Sequence, residues 1–284
     1  MNWDLLNELP KFTPWPLRLL GLEPWEARRK VAAELEREFE TEKWGPLWDR
    51  VQASPHPVQL TELEDATYHS EGELICLEEG ELARMTPREA FRKQYQKQLG
   101  VLSSLAPSAA LVELGAGYGQ IILKLAREEA FRGLRLLAGE YTCSGRKLIG
   151  SLAQSQGTGI EVGSCNFGTD AITGLAVPAH ATIFTSYAAH YVPRYDRRLI
   201  DTMVSWHPAA VVHFEPLYEL CDTSTLLGAL QRRYIELNDY NRNLLEVLRD
   251  AEERGNIEIL SLESQVFGSN PLLPVSVVIW KPRQ

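Results

Sequence analysis

The pattern of apolar and polar residues changes near residue 108. Beyond it, short apolar runs alternate with amphipathic stretches, which predicts strands at 109–114, 134–139, 159–163, 181–185, 209–214, 257–266 and 275–280. Helical patterns fall between these runs, at 143–156, 197–204 and 223–254. This alternation predicts an α/β fold: a mostly parallel seven-stranded sheet with helices on both faces.

The first hundred residues have few strand-like runs and are rich in Trp and Pro. A helix is predicted over Trp25–Trp44, since apolar residues recur at every fourth position: Ala27, Val31, Leu35 and Phe39. A second helix is predicted from a capping box at Thr86 to about Leu105. We therefore expect a mainly helical cap at 1–105 and an α/β domain at 106–284.

The composition limits the classes of binding partner and the cellular compartment that we expect. The net charge of −9 argues against nucleic acid and anionic membrane as main partners. The four cysteines show no paired spacing, which indicates a reducing compartment, and no apolar run reaches membrane-spanning length. A cytoplasmic protein is the expectation.

The most informative local pattern is the glycine-rich stretch Leu111–Gly119, where an apolar run ends in a turn with glycines at 115, 117 and 119. Glycine allows positive φ and close approach of a ligand, and a helix start follows at once. This is typical of a nucleotide-binding βα unit. Dinucleotide enzymes favour a third glycine one position later, and here Glu113 precedes the loop while Glu140 ends the next strand.

On these residues and on the order of elements from about 108 onwards, the chain resembles the class I (Rossmann-like) S-adenosylmethionine-dependent methyltransferases. The resemblance implies that the glycine loop packs under the methionine part, that Glu113 places its amino group and that Glu140 holds the ribose. It also implies S-adenosylmethionine as cofactor, S-adenosylhomocysteine as product, and a C-terminal antiparallel hairpin made by the last two strands. The expected cofactor contacts are Glu113, Gly115, Ala116, Gly117, Gly119, Glu140, Tyr141, Asn166, Phe167, Ser186 and Tyr95.

One departure concerns the adenine. Many relatives carry an acidic residue after strand three, where this chain reads Gly163-Ser164-Cys165-Asn166-Phe167-Gly168. Asn166 could accept from the exocyclic amine, and Phe167 could lie against the ring.

The reacting side chains are expected on the loops after strands four and five, because ligands lie beyond the carboxyl ends of such strands. His190 is the candidate base, since imidazole titrates near neutral pH, with Tyr187 and Glu215 as further catalytic candidates. A structural His190 bonded to backbone is the alternative. Tyr191 and His213 are candidate substrate contacts.

A metal site is a second hypothesis for the same residues. Two histidines and a carboxylate (His190, His213, Glu215) match a non-haem iron triad, but there is no spacing signature and His213 lies inside an apolar run. We therefore expect no metal, and we expect Glu215 to be a carboxylate that binds the acceptor.

Two further regions could reach a substrate. Tyr234 and Asn238 lie one turn apart on the helical stretch after strand five and are candidate contacts, with core packing as the alternative. The Trp-rich segment could be a lid over the site or the surface of a homodimer.

The sequence thus predicts a methyltransferase acting on oxygen or nitrogen of a small molecule or a peptide-like metabolite. An aminopropyltransferase would need paired acidic residues after strand four, and none occurs before Asp196. A methyltransferase-like binding protein without catalysis is the third hypothesis.

Overall fold

A computed structural model describes residues 3–26, 31–68, 72–105, 108–169 and 171–283. Its strands form one sheet: β1 (Leu74–Glu78), β2 (Glu81–Met85), β3 (Ala110–Leu114), β4 (Arg135–Glu140), β5 (Ile160–Asn166), β6 (Ala171–Thr173), β7 (Thr182–Ser186), β8 (Ala210–Glu215), β9 (Ile257–Gly268) and β10 (Val275–Pro282). The spatial order is β2-β1-β9-β10-β8-β7-β3-β4-β5-β6. The strands β5, β4, β3, β7 and β8 are parallel, and β10 lies antiparallel between β8 and β9.

The seven predicted strands and the reversed C-terminal hairpin are confirmed. Three additional strands extend the sheet: β6 beside β5, and the hairpin β1–β2 beside β9. The hairpin loop consists of Glu79 and Gly80 at φ 51° and 82°, the sign that a type I′ turn requires at both positions. The segment expected to be mainly helical therefore also contributes a hairpin to the sheet.

The helices are α1 (Trp3–Phe12), α2 (Trp15–Leu19), α3 (Ala32–Glu36), α4 (Gly45–Ala53), α5 (Leu60–Tyr68), α6 (Pro87–Ser104), α7 (Gln120–Leu125), α8 (Cys143–Gln156), α9 (Arg198–Ser205), α10 (Leu226–Leu237) and α11 (Leu244–Glu253). A π-helical segment, Arg37–Trp44, joins α3 to α4. The helix predicted over Trp25–Trp44 is thus shorter and changes its winding, and its Ala27 lies outside the described residues. The cap at Thr86 is confirmed, since its hydroxyl accepts from the Glu89 N–H at 3.2 Å.

The single helix predicted over 223–254 is wrong: α10 and α11 are separated by the polar stretch 238–243. Asn and Asp side chains compete for backbone hydrogen bonds and so favour such breaks. Here they hold the loop that follows β7, because the Asn241 N–H donates to the His190 carbonyl at 2.8 Å and the Asn241 amide to that of Val192 at 2.7 Å.

Both faces of the central strands are buried. Alternate residues of β3 enter two different clusters: Val112 packs with the α9 and α11 side, and Leu111 with the α6 and α7 side. Such burial fixes the parallel strands in register and leaves their carboxyl ends as the open edge. No helix in the described part of the chain is long and apolar enough to cross a membrane.

Candidate active site

The glycine loop lies at the carboxyl end of β3 and adopts the backbone that its sequence predicts. Gly115, Gly117 and Gly119 have φ of 76°, 59° and 83°. A Cβ on Gly115 would lie 2.3 Å from the Ala188 Cβ, and one on Gly119 would lie 2.9 Å from Ile149 Cγ1. The loop therefore brings backbone against the β7 loop and helix α8 at distances that no other residue allows.

Glu113, the last-but-one residue of β3, is buried, and its carboxylate accepts from the Ile122 N–H of α7 at 3.0 Å. Burial raises its pKa to about 8, and this outweighs the opposing hydrogen bond from Ile122. Its side chain lines the cavity described below. Glu113 is therefore largely protonated at neutral pH.

Glu140 ends β4 and is anchored by three hydrogen bonds. Its carboxylate accepts from the Gly117 N–H at 2.8 Å, from the Thr142 N–H at 2.9 Å and from the Thr142 hydroxyl at 2.7 Å. Burial raises its pKa, and these hydrogen bonds oppose the shift. The carboxylate is thereby tied to the glycine loop and held in one orientation.

A cavity of about 810 Å³ opens at this edge of the sheet, large for a single ligand pocket. It brings together most of the predicted cofactor contacts: Glu113, Gly115, Ala116, Gly117, Glu140, Tyr141, Asn166, Phe167 and Ser186. The same cavity is lined by Tyr187, His190 and Tyr191 from the β7 loop. The Asn166 amide oxygen accepts from the Gly168 N–H at 2.9 Å, which fixes that side chain.

His190 forms a buried pair with Glu215. Its Nδ1 lies 3.1 Å from a Glu215 carboxylate oxygen, and the same carboxylate accepts from the N–H groups of Ala188 at 3.0 Å and Ala189 at 2.9 Å. Burial opposes ionisation of Glu215, but these hydrogen bonds outweigh it and its pKa is lowered. An ionised Glu215 accepts, so the Nδ1–H of His190 donates to it, and Nε2 is the acceptor nitrogen of the neutral ring.

Glu215 itself does not line the cavity but lies behind His190. The prediction that it contacts the acceptor directly is therefore not retained. Its placement gives it a different task, because one carboxylate holds both the imidazole and the backbone of residues 188–190.

His213 is not at the cavity, contrary to its prediction as a substrate contact. Its ring is buried, stacks on Trp280 at 6.3 Å and places Nδ1 3.0 Å from the Thr185 hydroxyl. Burial lowers its pKa to about 4, so the ring is neutral. Among the described residues no group of three or more His, Cys, Asp and Glu side chains could hold a metal ion.

Four other predicted contacts lie away from the cavity. Tyr234 is buried in an aromatic cluster, with Trp15 at 4.7 Å, and Asn238 caps α10 by donating to the Tyr234 carbonyl at 2.9 Å. Tyr95 donates to Glu128 at 2.9 Å and lines a separate, smaller cavity. Gly119 serves the close contact with Ile149 and does not line the cavity.

The N-terminal segment supplies a wall that the sequence patterns did not identify. Leu35, Phe39, Lys43 and Trp44, from α3 and the π-helical segment, line the cavity. Trp44 packs on Tyr118 at 5.2 Å, and Phe39 meets Tyr191 edge to face at 4.9 Å. Their spacing of four residues predicts that Leu35 and Phe39 share one face of a helix. The neighbouring sequence does not indicate which surface of the protein that face covers.

This wall is fastened to the α/β domain. The Glu40 carboxylate accepts from the Ser144 N–H at 3.1 Å, at the first turn of α8, where a helix offers free donors and a positive dipole end. Of the tryptophans expected over the site, Trp44 is at the cavity, whereas Trp15 packs on Tyr234 and Trp48 joins a cluster beside α8.

Comparison with known proteins gives matches in fold but not in sequence. No family model matches the chain, and no curated protein matches it. The structure of magnesium protoporphyrin IX methyltransferase from Synechocystis PCC 6803, with bound SAH, matches 89% of this chain and 100% of its own at TM-score 0.54 and 11% identity. Geranyl diphosphate C-methyltransferase from Streptomyces coelicolor A3(2), in complex with Mg²⁺, geranyl-S-thiolodiphosphate and S-adenosyl-L-homocysteine, matches 85% of this chain and 97% of its own at TM-score 0.51 and 10% identity.

The parallel strands β5-β4-β3-β7-β8, followed by the antiparallel strands β10 and β9, form the mostly parallel sheet with a C-terminal hairpin that the sequence resemblance implied. Together with these structural matches it shows that the chain has the fold of the class I S-adenosylmethionine-dependent methyltransferases.

Proposed function

We propose that this protein is an S-adenosylmethionine-dependent methyltransferase that transfers a methyl group to oxygen or nitrogen of a small molecule or a peptide-like metabolite. The observation that carries the proposal is the composition of one cavity. A glycine loop and two buried carboxylates form one side of it, and a histidine paired with a buried carboxylate forms another.

The first side matches the chemistry of the cofactor. Glu113 would accept from the amino group of the methionine part, and Glu140 from the ribose hydroxyls, with the loop backbone passing beneath. Phe167 and Asn166 would flank the adenine, and Tyr141 and Ser186 would complete the wall. The structural matches with bound SAH and with S-adenosyl-L-homocysteine support this cofactor class.

The other side supplies a base. Methyl transfer is a direct displacement in which the acceptor must lie in line with the methyl group and lose its proton. The His190 ring lines the cavity, and Nε2 has no hydrogen-bond partner among the described residues. We assign Nε2 as the atom that takes the acceptor's proton. Glu215 acts through His190: it holds the tautomer and stabilises the imidazolium that forms.

Tyr187 and Tyr191 would position the reactants rather than exchange protons. Burial raises the pKa of both phenols, and the Tyr187 hydroxyl donates to the Leu273 carbonyl at 3.1 Å. Tyr187 has φ 49°, a strained value for a residue other than glycine, and its ring lies edge to face with that of His190 at 5.8 Å.

Cofactor binding is tested by thermal unfolding with S-adenosylmethionine, S-adenosylhomocysteine, decarboxylated S-adenosylmethionine and NAD. Ligand at one hundred times Kd stabilises a fold by about 2.7 kcal/mol, so the first two compounds should raise Tm and Glu140→Ala should abolish the rise. A rise with NAD and none with the first two would contradict the proposal. Preference for the decarboxylated compound would indicate aminopropyl transfer instead.

The role of His190 is tested separately. With an acceptor found by mass analysis of methylated products from an extract, His190→Ala should lower kcat by about 10²-fold or more while leaving the Kd of S-adenosylhomocysteine nearly unchanged. Unchanged turnover would remove His190 from the mechanism, and turnover lost on chelation would indicate a metal.

A further inference from the structure

We infer that the methyl acceptor is an uncharged, hydrophobic molecule with an aromatic or similarly flat body. This inference rests on the proposed function and concerns the part of the cavity that the cofactor would not fill. It is carried by the side chains that line that part and by the state of the charged groups beside it.

The apolar part of the cavity lining comes from separate parts of the chain. It is built from Leu35, Phe39, Leu74, Phe91, Tyr191 and Leu273. These residues come from the N-terminal helical segment, the β1 hairpin, α6, the β7 loop and the turn before β10. An acceptor seated between this wall and His190 would exchange water for apolar contact over most of its surface, which favours a hydrophobic body.

Lys43, the basic residue at this wall, already forms an ion pair with Glu38. Lys43 Nζ lies 2.8 Å from a Glu38 carboxylate oxygen, so an anionic acceptor would have to compete with that ion pair. Besides His190, the remaining acidic or basic residues among the described lining are Glu113 and Glu140, and neither offers an anion a positive charge. A phosphate or carboxylate placed here would lose its hydration without gaining a counter-charge.

A cationic acceptor is disfavoured by the same lysine. Lys43 Nζ lies 4.1 Å from the centre of the Phe39 ring and 5.9 Å from that of Tyr191. It therefore occupies the aromatic surface that would otherwise attract a positive charge. With anions and cations both opposed, an uncharged acceptor is the one that this wall fits.

The test uses three probes with the same ring system and different charge: 2-naphthol, 2-naphthyl phosphate and N,N,N-trimethyl-2-naphthylammonium. Binding to the protein saturated with S-adenosylhomocysteine is measured by calorimetry. We expect 2-naphthol to bind at least about tenfold more tightly than either charged probe. Charged probes that bind as tightly as 2-naphthol, or no binding of 2-naphthol, would overturn the inference.

A variant pair locates the effect. Phe39→Ala should weaken 2-naphthol binding by about tenfold, because an aromatic wall is lost, and should change the Kd of S-adenosylhomocysteine less than about threefold. Leu226→Ala is the matched control, since that leucine is exposed on α10 and does not line the cavity. If Phe39→Ala binds 2-naphthol as the control does, the apolar wall does not hold the acceptor and the inference fails.

The two proposals fail in different ways. Absence of S-adenosylhomocysteine binding would overturn the proposed function and this inference with it. Binding of S-adenosylhomocysteine with equal affinity for all three probes would overturn this inference alone.

Discussion

Cofactor binding should be coupled to the protonation of Glu113. Burial raises the pKa of this carboxyl to about 8, so it is protonated at pH 6 before the cofactor binds. The amino group of S-adenosylhomocysteine stands beside a free carboxylate, which raises its pKa above the roughly 7.7–8.0 of a peptide α-amino group, so it is protonated at the same pH. The bound pair of carboxyl and amine holds one proton between them, since a carboxylate–ammonium pair is the favourable state.

The magnitude follows from counting protons. At pH 6 the free carboxyl and the free amine together carry about two protons, and the bound pair carries one. Binding therefore releases about one proton, and Kd falls about tenfold for each unit that the pH rises. Near pH 8 the free carboxyl carries about half a proton and the free amine about one, so the release falls to about half a proton. At pH 9 the free carboxyl carries about a tenth of a proton, so the release falls close to zero. Affinity therefore rises from pH 6 to about pH 8 and levels off above it.

The assay is calorimetry of S-adenosylhomocysteine binding in buffers with different ionisation enthalpies, at pH 6, 8 and 9. Glu113→Gln should bind with almost no proton release at pH 6, because the amide does not titrate. Methylthioadenosine, which has no amino group, is the matched ligand: any proton that Glu140 releases would appear with both compounds. Tight binding of S-adenosylhomocysteine at pH 6 without proton release would refute the assigned contact between Glu113 and the amino group.

Three further outcomes are expected. Gly115→Ala should lower the free energy of unfolding by about 2–5 kcal/mol in urea titration, since φ is 76° and the new Cβ would lie 2.3 Å from the Ala188 Cβ. Gly150→Ala is the control: it lies in open space within α8 and should raise the free energy of unfolding by about 0.5–1 kcal/mol. Equal effects of the two substitutions would contradict the argument. Glu215→Gln should lower kcat at least about tenfold and change the Kd of S-adenosylhomocysteine little, because the imidazolium that forms loses its carboxylate; an unchanged kcat would assign Glu215 a structural role only. Glu40→Gln should cost about 0.5–1 kcal/mol at low ionic strength, since a charged acceptor at the N-terminus of α8 is lost, and no loss would show that the contact is not populated.

The half of the site that we propose binds the cofactor could be predicted because its determinants are local. The positive φ of the glycine loop, the strand before it and the acid at its end all lie within nine residues, Leu111–Gly119. Glu140 follows from the same logic on the adjacent strand β4, since parallel neighbours end at one edge of a sheet.

The errors fall where partners are distant in sequence. His213 and Glu215 lie two residues apart on β8 and so share a face, and position alone could not tell which of them meets the β7 loop. Contact with Thr185 and Trp280 places His213 in the core, whereas Glu215, one residue from the end of the apolar run, reaches the N–H groups of 188–190. The break between α10 and α11 was missed for the same reason, because its asparagines satisfy a loop about fifty residues earlier.

The acceptor half of the site is the part that sequence periodicity could least resolve, and the geometry explains why. Its wall is assembled from segments that are each unremarkable: a helix face at Leu35 and Phe39, a hairpin residue at Leu74 and a turn residue at Leu273. Glu40 joins the segment of Leu35 and Phe39 to the half of the cavity that contains Glu140. Its carboxylate accepts from the Ser144 N–H, on the helix that directly follows Glu140. A ligand held by Glu140 would therefore stabilise the same helix terminus to which the acceptor wall is fastened, so we expect the two halves of the cavity to be coupled energetically rather than independent.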